Sequence, residues 1–261
     1  MLIDALADAL SRSWRVFATG LSFATFGLGG LVLRLVLFPI VRLLARDIET
    51  RTRWSRTLIY GSFNLFVRMM RGLGVLSYEL HGLQRLDRRG LLIVANHPSL
   101  IDVAFLMAFV RNADCVVKDA LWRNPFTRGP VEAAGFVSNR TGPELVDACV
   151  ASVRGGSNLI IFPEGTRTTP TRPLAFQRGA ANVAVRGGLD MTPVVIRCQP
   201  TTLTKGEPWW AVPARRPHFT FEVGCDISVA PYVEEIAPSA AARELTRNLQ
   251  SHFSLELSRH G

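Results

Sequence analysis

Two short strings of residues in this chain have the types and spacing that base-driven chemistry requires. The first reads Asn-His-Pro-Ser-Leu-Ile-Asp and places Asp102 five residues after His97. The second reads Phe-Pro-Glu-Gly-Thr-Arg-Thr and contains Glu164 and Arg167. A histidine steered by a carboxylate can take up a proton, and an arginine beside it can hold an anion. Together the strings predict a transfer site that also binds an anionic group.

Each string follows an apolar run that predicts a buried strand, at residues 91–95 and 158–162. Ligands bind at the carboxyl ends of strands in open α/β sheets, so we expect both strings at one sheet edge. Pro98 predicts the start of a helix over residues 99–110, which leaves His97 in the preceding loop. From there the ring can turn back to Asp102, whose carboxylate would fix the tautomer and leave the other ring nitrogen free.

The rest of the chain predicts an α/β fold, with a mostly parallel sheet flanked by helices, because short apolar runs alternate with helical patterns. The predicted strands span residues 75–80, 91–95, 115–117, 136–138, 158–162, 192–197 and 218–223. The predicted helices span residues 99–110, 126–134, 143–154, 177–186 and 240–257. Residues 201–216 carry two tryptophans and two prolines, which indicates an irregular loop.

The two strings, in this order and at this spacing, resemble the motifs of the phospholipid/glycerol acyltransferase family, whose type member is 1-acylglycerol-3-phosphate O-acyltransferase. Two further segments fit the same pattern: a basic block over residues 118–140 and a Thr-Pro-Val-Val-Ile strand from residue 192. The resemblance covers about residues 80–200. Thr168 stands where the family has serine, and Arg178 where it has lysine, and neither change disturbs the chemistry.

The resemblance implies a role for each matched residue. His97 and Asp102 would be catalytic, and Pro193 would border the acyl chain. The cations and the second string would bind the glycerol-phosphate part of the acceptor, through Lys118, Arg140, Glu164, Gly165, Thr166 and Arg167. Three cations at strand ends suit a phosphate monoester. The alternative for Glu164 and Arg167 is a structural ion pair within a turn.

The reaction implied is the attack of an alcohol on an acyl thioester, with His97 as the general base. The sequence has no Gly-x-Ser-x-Gly nucleophile motif, so we expect direct transfer without an acyl-enzyme. The donor would be acyl-CoA or acyl carrier protein, and the acceptor a lysophospholipid, above all 1-acylglycerol-3-phosphate, in phospholipid biosynthesis. Alternatives are an ornithine lipid, a glycolipid or a polyene lipid as acceptor, a thioesterase, and a catalytically idle membrane-binding scaffold.

The first 74 residues differ in character from the rest. Residues 16–33 form an uncharged stretch that is marginally long enough for a membrane segment, either spanning or re-entrant. The alternative is a buried core helix. A basic flank over residues 42–56 predicts the cytoplasmic face of a bacterial inner membrane. A helix over residues 54–73 would lie in the interface or pack on the catalytic part. We therefore expect membrane-associated helices over residues 1–74 and an α/β acyltransferase domain with a C-terminal helix over residues 75–261.

The net charge of +9 favours anionic partners, and 28 of the 30 basic residues are arginine. Membrane lipids and an acidic carrier protein fit this charge, whereas no nucleic-acid-binding motif is visible. The four cysteines are scattered without metal-ligand spacing, so we expect buried free thiols in a reducing compartment and neither a metal nor a redox cofactor.

Overall fold

Strands and helices alternate from residue 77 onward, which confirms the predicted α/β class. The computed structural model describes residues 2–117, 120, 123–124, 127–139, 143–169, 172–234 and 237–259, with the backbone alone for residues 2–9 and 143. The strands are β1 Ser77–His81, β2 Leu92–Ala95, β3 Ala113–Val117, β4 Val137–Ser138, β5 Asn158–Ile161, β6 Met191–Gln199 and β7 His218–Val223. Each predicted strand is present, with ends that differ by up to two residues.

The sheet has the order β1-β7-β6-β2-β5-β3-β4. Neighbouring strands run parallel except β6 and β7, which are antiparallel. The central strand β2 is buried along its whole length, as its uninterrupted apolar sequence predicts. The register pairs Val94 of β2 with Ile161 of β5, so both strands end at the same level of the same edge.

Helices cover both faces of the sheet. The helices after the N-terminal region are α4 Asp102–Phe109, α5 Arg128–Ala134, α6 Pro143–Arg154, α7 Gly179–Gly187, α8 Ala230–Val233 and α9 Pro238–Ser258. Phe105 of α4 packs among Tyr78, Phe219 and Phe221 on one face. The helices α6, α7 and α9 enclose a second apolar cluster on the other face, around Phe253.

Helix α4 begins three residues later than the sequence predicts. Residues 99–101 form a turn instead, because their polar groups bond elsewhere. The Ser99 N–H donates to Asp102 Oδ2 (2.7 Å), and the Leu100 N–H donates to the carbonyl of Leu203 (3.1 Å). The chain at Pro98 therefore remains a loop, and Asp102 is the first residue of α4.

The N-terminal region is helical almost throughout. Helix α1 Leu2–Val32 continues through a π-helical segment, Leu33–Leu37, into α2 Phe38–Leu44, and α3 Ile48–Gly72 follows. The Asp47 side chain caps α3 by accepting from the Thr50 N–H (2.7 Å). Within the described residues, Leu10–Leu44 is the single helical stretch long and apolar enough to cross a membrane.

Helix α3 packs on the α/β part of the chain through α4, where Asn64 donates to the carbonyl of Ala108 (3.2 Å). Its buried Arg56 donates to Asp114 Oδ2 (3.1 Å), Ser157 Oγ (2.6 Å) and the carbonyl of Ala134 (3.0 Å). These contacts join α3 to β3, to the segment before β5 and to the end of α5. Of the two arrangements predicted for the helix over residues 54–73, the structure shows packing on the α/β part of the chain.

Three cysteines are buried, as predicted, at positions 115, 149 and 198. The prediction is wrong for Cys225, which is exposed in the irregular segment after β7.

Candidate active site

The imidazole of His97 lies beside the carboxylate of Asp102. The distance from His97 Nδ1 to Asp102 Oδ2 is 3.0 Å. A carboxylate oxygen only accepts, so Nδ1 carries the proton and Nε2 is the nitrogen left for proton transfer. The Asp102 side chain is fully buried, and the His97 side chain is 14% exposed, which leaves the ring accessible from one side.

Burial controls the protonation of Asp102. Removal from water raises the pKa of this carboxyl from 3.8 to about 6, against the opposing effects of the His97 hydrogen bond and charge and of the Ser99 N–H. Among the described residues, Asp102 Oδ1 accepts no hydrogen bond. A pKa of about 6 leaves the carboxylate mostly ionised at neutral pH. The two hydrogen bonds that stabilise its charge, from His97 and from the Ser99 N–H, both end on Oδ2.

The loop that carries His97 is shaped by Asn96. Its side-chain amide donates to the carbonyl of Ile196 and its side-chain oxygen accepts from the Ile196 N–H, both at 2.7 Å. These two bonds replace the backbone pairing that β2 would otherwise continue with β6. The backbone of residue 96 is released from the sheet, and the next residue, His97, can turn toward α4.

Glu164 binds the backbone of the first string. Its Oε1 accepts from the His97 N–H (2.8 Å) and from Thr168 Oγ1 (2.9 Å). The Thr168 N–H in turn donates to the carbonyl of His97 (2.7 Å). Partial burial raises the pKa of Glu164 above 4.5, although the two hydrogen bonds oppose this shift. The two strings are therefore joined by two hydrogen bonds, and the Thr168 hydroxyl holds the Glu164 carboxylate in place from within the second string.

The meeting of His97 and Glu164 follows from strand register. Val94 and Ile161 are partners in adjacent parallel strands, and each of the two residues comes three positions later. Phe162, at the start of the second string, stacks on the His97 ring with centroids 4.3 Å apart. Sequence reasoning missed this contact, although Phe162 lies within the quoted string.

Gly165 makes the turn of the second string. Its φ of +66° is in the left-handed region that favours glycine, and its N–H donates to the carbonyl of Phe162 (3.0 Å). Thr166 follows this turn and is partly buried. The turn directs the chain back across the sheet edge toward His97.

Arg167 points to the loop after β6. Its Nη1 donates to the carbonyls of Leu203 and Thr204, both at 2.9 Å. Its Nε and Nη2 have no acceptor among the described residues, so they remain available for an anion. Glu164 and Arg167 each bond to other groups, and the turn ion pair considered as an alternative is not seen.

The remaining predicted site residues lie farther from this group or outside the description. Pro193 is buried in β6, opposite Val94 in the register, one residue before the level at which β2 ends. Lys118 and Arg140 lie outside the described residues, so the convergence of three cations stays a prediction.

Sequence reasoning also missed the contribution of the loop after β6. The carbonyl of Thr202 accepts from Ser99 Oγ (2.9 Å), and the carbonyl of Leu203 accepts from both Leu100 and Arg167. This loop therefore braces both strings. Its two tryptophans and two prolines gave no sign of that role.

A family of known proteins matches the part of the chain that carries this site. A family model described as Acyltransferase matches residues 77–197. Over this stretch the chain is similar to the acyltransferase family. The matched stretch runs from β1 into β6 and contains His97, Asp102, Glu164 and Arg167.

Curated proteins named as acyltransferases resemble the chain at modest identity. A 1-acyl-sn-glycerol-3-phosphate acyltransferase from Pseudomonas aeruginosa is 27% identical over 165 residues, which is 60% of this chain and 60% of that protein. The protein of the same name from Helicobacter pylori is 32% identical over 117 residues, which is 42% of this chain and 49% of that protein. The chain thus spans about half to three fifths of the length of these two relatives.

A solved structure shares the fold. The crystal structure of the 1-acyl-sn-glycerophosphate (LPA) acyltransferase PlsC from Thermotoga maritima has a TM-score of 0.71 and 20% identity, and the similarity covers 95% of this chain and 98% of that chain. At this identity the similarity establishes the fold, which includes the long apolar helix at the N-terminus.

Proposed function

We propose that this chain transfers a fatty acyl group from a thioester donor to a hydroxyl of a lysophospholipid. The observation that carries the proposal is the 3.0 Å contact between His97 Nδ1 and the buried carboxylate of Asp102. This contact presents Nε2 as a base at the sheet edge where Glu164 and Arg167 also lie. The family match over residues 77–197 and the names of the curated relatives support the same chemistry.

The transfer proceeds in two proton movements. His97 Nε2 takes the proton of the acceptor hydroxyl, and the hydroxyl oxygen attacks the carbonyl carbon of the thioester. The carbon–sulfur bond then breaks, and the imidazolium returns its proton to the leaving thiolate. Asp102 stabilises the imidazolium in between and keeps Nδ1 protonated throughout.

We propose 1-acylglycerol-3-phosphate as the acceptor, with Arg167 as one of its phosphate ligands. Two donors of the Arg167 guanidinium have no acceptor among the described residues, which suits a phosphate oxygen. The family resemblance assigns Lys118 and Arg140 to the same phosphate. The thiol carrier of the donor is acyl-CoA or acyl carrier protein, and we infer no metal or redox cofactor.

The N-terminal helices would seat this site on a membrane. The helical stretch Leu10–Leu44 contacts the rest of the chain along its length: Phe23 packs near Trp209, Phe26 packs against Phe63, and Arg34 packs against Gly129. Its other side exposes an apolar stripe that includes Leu10, Trp14, Phe17, Leu21 and Leu28. A helix packed on its own protein along one side and apolar on the other suits a position in the membrane interface.

The basic residues that flank this helical stretch favour anionic lipid headgroups. We propose that the chain acts at the cytoplasmic face of a bacterial inner membrane, where acyl-CoA and acyl carrier protein are both present. The region up to residue 74 would form the membrane-associated part, and the α/β domain would begin at residue 75.

The test uses the full chain purified in detergent with a panel of lysolipids and with CoA-linked and carrier-linked acyl donors. Wild type should acylate one class of lysolipid, and His97→Ala should lose a factor of about 10² to 10⁴ in kcat while keeping its circular dichroism spectrum. His81→Ala, at an exposed histidine on β1, is the matched control and should retain full activity.

Other results would replace the proposal. Free fatty acid formed without dependence on an acceptor would identify a thioesterase. Acylation of an ornithine lipid or a glycolipid in preference to lysophosphatidate would change the acceptor. Undiminished transfer by folded His97→Ala would exclude the mechanism.

A further inference from the structure

The loop of residues 201–216, here called the tryptophan loop, exposes two adjacent aromatic side chains. Trp209 is 41% exposed and Trp210 is 58% exposed, and their rings meet edge to face with centroids 5.6 Å apart. Exposed tryptophan pairs are costly in water, whereas the indole ring is favoured at the boundary between lipid and water. The loop therefore presents a surface for which a membrane is a suitable partner.

This surface is continuous with the exposed stripe of α1. The Trp209 ring lies against Gly20, where a Cβ would approach within 3.1 Å of it, and its centroid is 6.2 Å from that of Phe23. Residues three and four positions from Gly20 on the helix surface are Phe17 and Ala24, and both are exposed. The two tryptophans thus extend the apolar stripe of α1 sideways.

The tryptophan loop also carries charge that suits anionic lipids. Lys205, Arg215 and Arg216 are exposed on it, and its single acidic residue, Glu207, is occupied by the N–H and hydroxyl of Thr204. Aromatic side chains flanked by cations match the headgroup region of a bilayer that contains acidic lipids.

The loop is fixed to the helix on one side and to the candidate active site on the other. Arg15 of α1 donates through Nη2 to the carbonyls of Pro213 (3.1 Å) and Ala214 (2.5 Å). At its opposite end, the carbonyls of Leu203 and Thr204 accept from Arg167. Lipid bound at Trp209 would lie six residues along the chain from Leu203, whose carbonyl accepts from both strings.

We propose that the tryptophan loop is a second membrane-binding element, which places Trp209 and Trp210 at the headgroup level of an anionic bilayer beside α1. Its effect on acylation rests on the function proposed above, whereas the lipid contact itself does not. The surface would bring the loop that braces Arg167 to the membrane from which a lipid acceptor enters.

The first test measures lipid contact without any reaction. The full chain is reconstituted in phosphatidylcholine and phosphatidylglycerol vesicles that contain brominated lipid, and its tryptophan fluorescence is compared with that of a Trp209→Phe and Trp210→Phe double variant. Phenylalanine retains the packing near Gly20, and the difference spectrum isolates two of the five tryptophans of the chain. We expect this difference spectrum to be quenched by bromine and shielded from aqueous iodide. A difference spectrum quenched by iodide and insensitive to bromine would overturn the proposal.

The second test removes charge. Lys205→Gln, Arg215→Gln and Arg216→Gln together should weaken bromine quenching in vesicles with phosphatidylglycerol and leave it unchanged in pure phosphatidylcholine. Equal quenching of this variant and wild type in both vesicles would contradict the preference for anionic lipid.

The third test concerns turnover. Trp209→Ala with Trp210→Ala should raise the apparent KM for a vesicle-borne lysolipid several-fold and leave turnover of a monomeric short-chain acceptor unchanged. Leu255→Ala, an exposed apolar position on α9, is the control and should change neither.

Intact lipid quenching with no acylation of any acceptor would refute the proposed function alone. If the Trp209→Ala and Trp210→Ala double variant kept its affinity for vesicles but bound acyl carrier protein more weakly, the loop would be a protein-docking surface. That result would refute the lipid contact.

Discussion

Glu164 holds the backbone of His97: its carboxylate accepts the His97 N–H at 2.8 Å. This bond joins the two strings, and the same oxygen also accepts from the Thr168 hydroxyl within the second string, so the glutamate does not project freely into the site. This geometry favours a positioning role for Glu164, which is distinct from the acceptor-binding role that the family resemblance suggests.

Substitution of Glu164 can separate these two roles. In Glu164→Ala the loop that carries His97 loses its anchor. Because a displacement of a catalytic group by about 1 Å can cost about 10²-fold in rate, kcat should fall with little change in the acceptor KM. Glu164→Gln keeps an oxygen acceptor and should restore most of kcat. Steady-state kinetics of both variants provide the measurement. A rise in acceptor KM in both variants, with kcat preserved, would instead indicate direct binding of the acceptor.

Asp102 should make the stability of the protein depend on pH. Its pKa rises from 3.8 to about 6 on folding, so between these values the folded state binds more protons than the unfolded state. The free energy of unfolding should therefore fall as the pH rises from about 4 to about 6, by about 3 kcal/mol at most, and be level above.

The Asp102→Asn variant isolates this contribution, because the amide has the same size and does not ionise. Urea unfolding in detergent at several pH values should give a smaller decline for the variant than for wild type, and the variant should be no less stable at pH 7. Parallel pH profiles for the two proteins would show that the buried carboxyl does not titrate in this range.

Arg167 should contribute mainly to acceptor binding. Lysine cannot bond both loop carbonyls and present a fork to a phosphate, so Arg167→Lys should raise the acceptor KM by about tenfold or more, in line with about 1.5–3 kcal/mol for a charged hydrogen bond. The effect should shrink with an acceptor that lacks phosphate. Arg247→Gln, at an exposed position on α9, is the control. Equal losses with both acceptors would assign Arg167 to the loop carbonyls alone.

Arg56 should be important for stability and not for chemistry. It forms a buried pair with Asp114, and removal of one partner from such a pair costs about 3–5 kcal/mol. Arg56→Ala should therefore lower the thermal midpoint markedly, while the fraction that remains folded turns over at the normal rate. Arg53→Ala, on an exposed position of the same helix, should leave the midpoint almost unchanged. A similar midpoint for both variants would show that α3 is not anchored through this pair.

The α/β class and most of the strand positions could be predicted from the order of residue types along the chain. An uninterrupted apolar run such as that of β2 has to be buried between two layers of helices. This property can be recognised from a short stretch of sequence, because it depends only on the residue types within that stretch. The two strings were predicted to meet for the same reason, since parallel strands end at a common edge. The juxtaposition of His97 and Asp102 also follows from one segment of chain.

Contacts that depend on strand register and on distant loops could not be predicted and are seen only in the folded chain. The contact between His97 and Glu164 requires Val94 to pair with Ile161, and strand order and register are not encoded in either strand alone. Helix α4 starts at Asp102, and not near Pro98, because the carbonyl of Leu203, about a hundred residues away in sequence, takes the Leu100 N–H. A hydrogen bond of this kind exists only once the whole sheet has formed, which is why residue types along the chain could not reveal it.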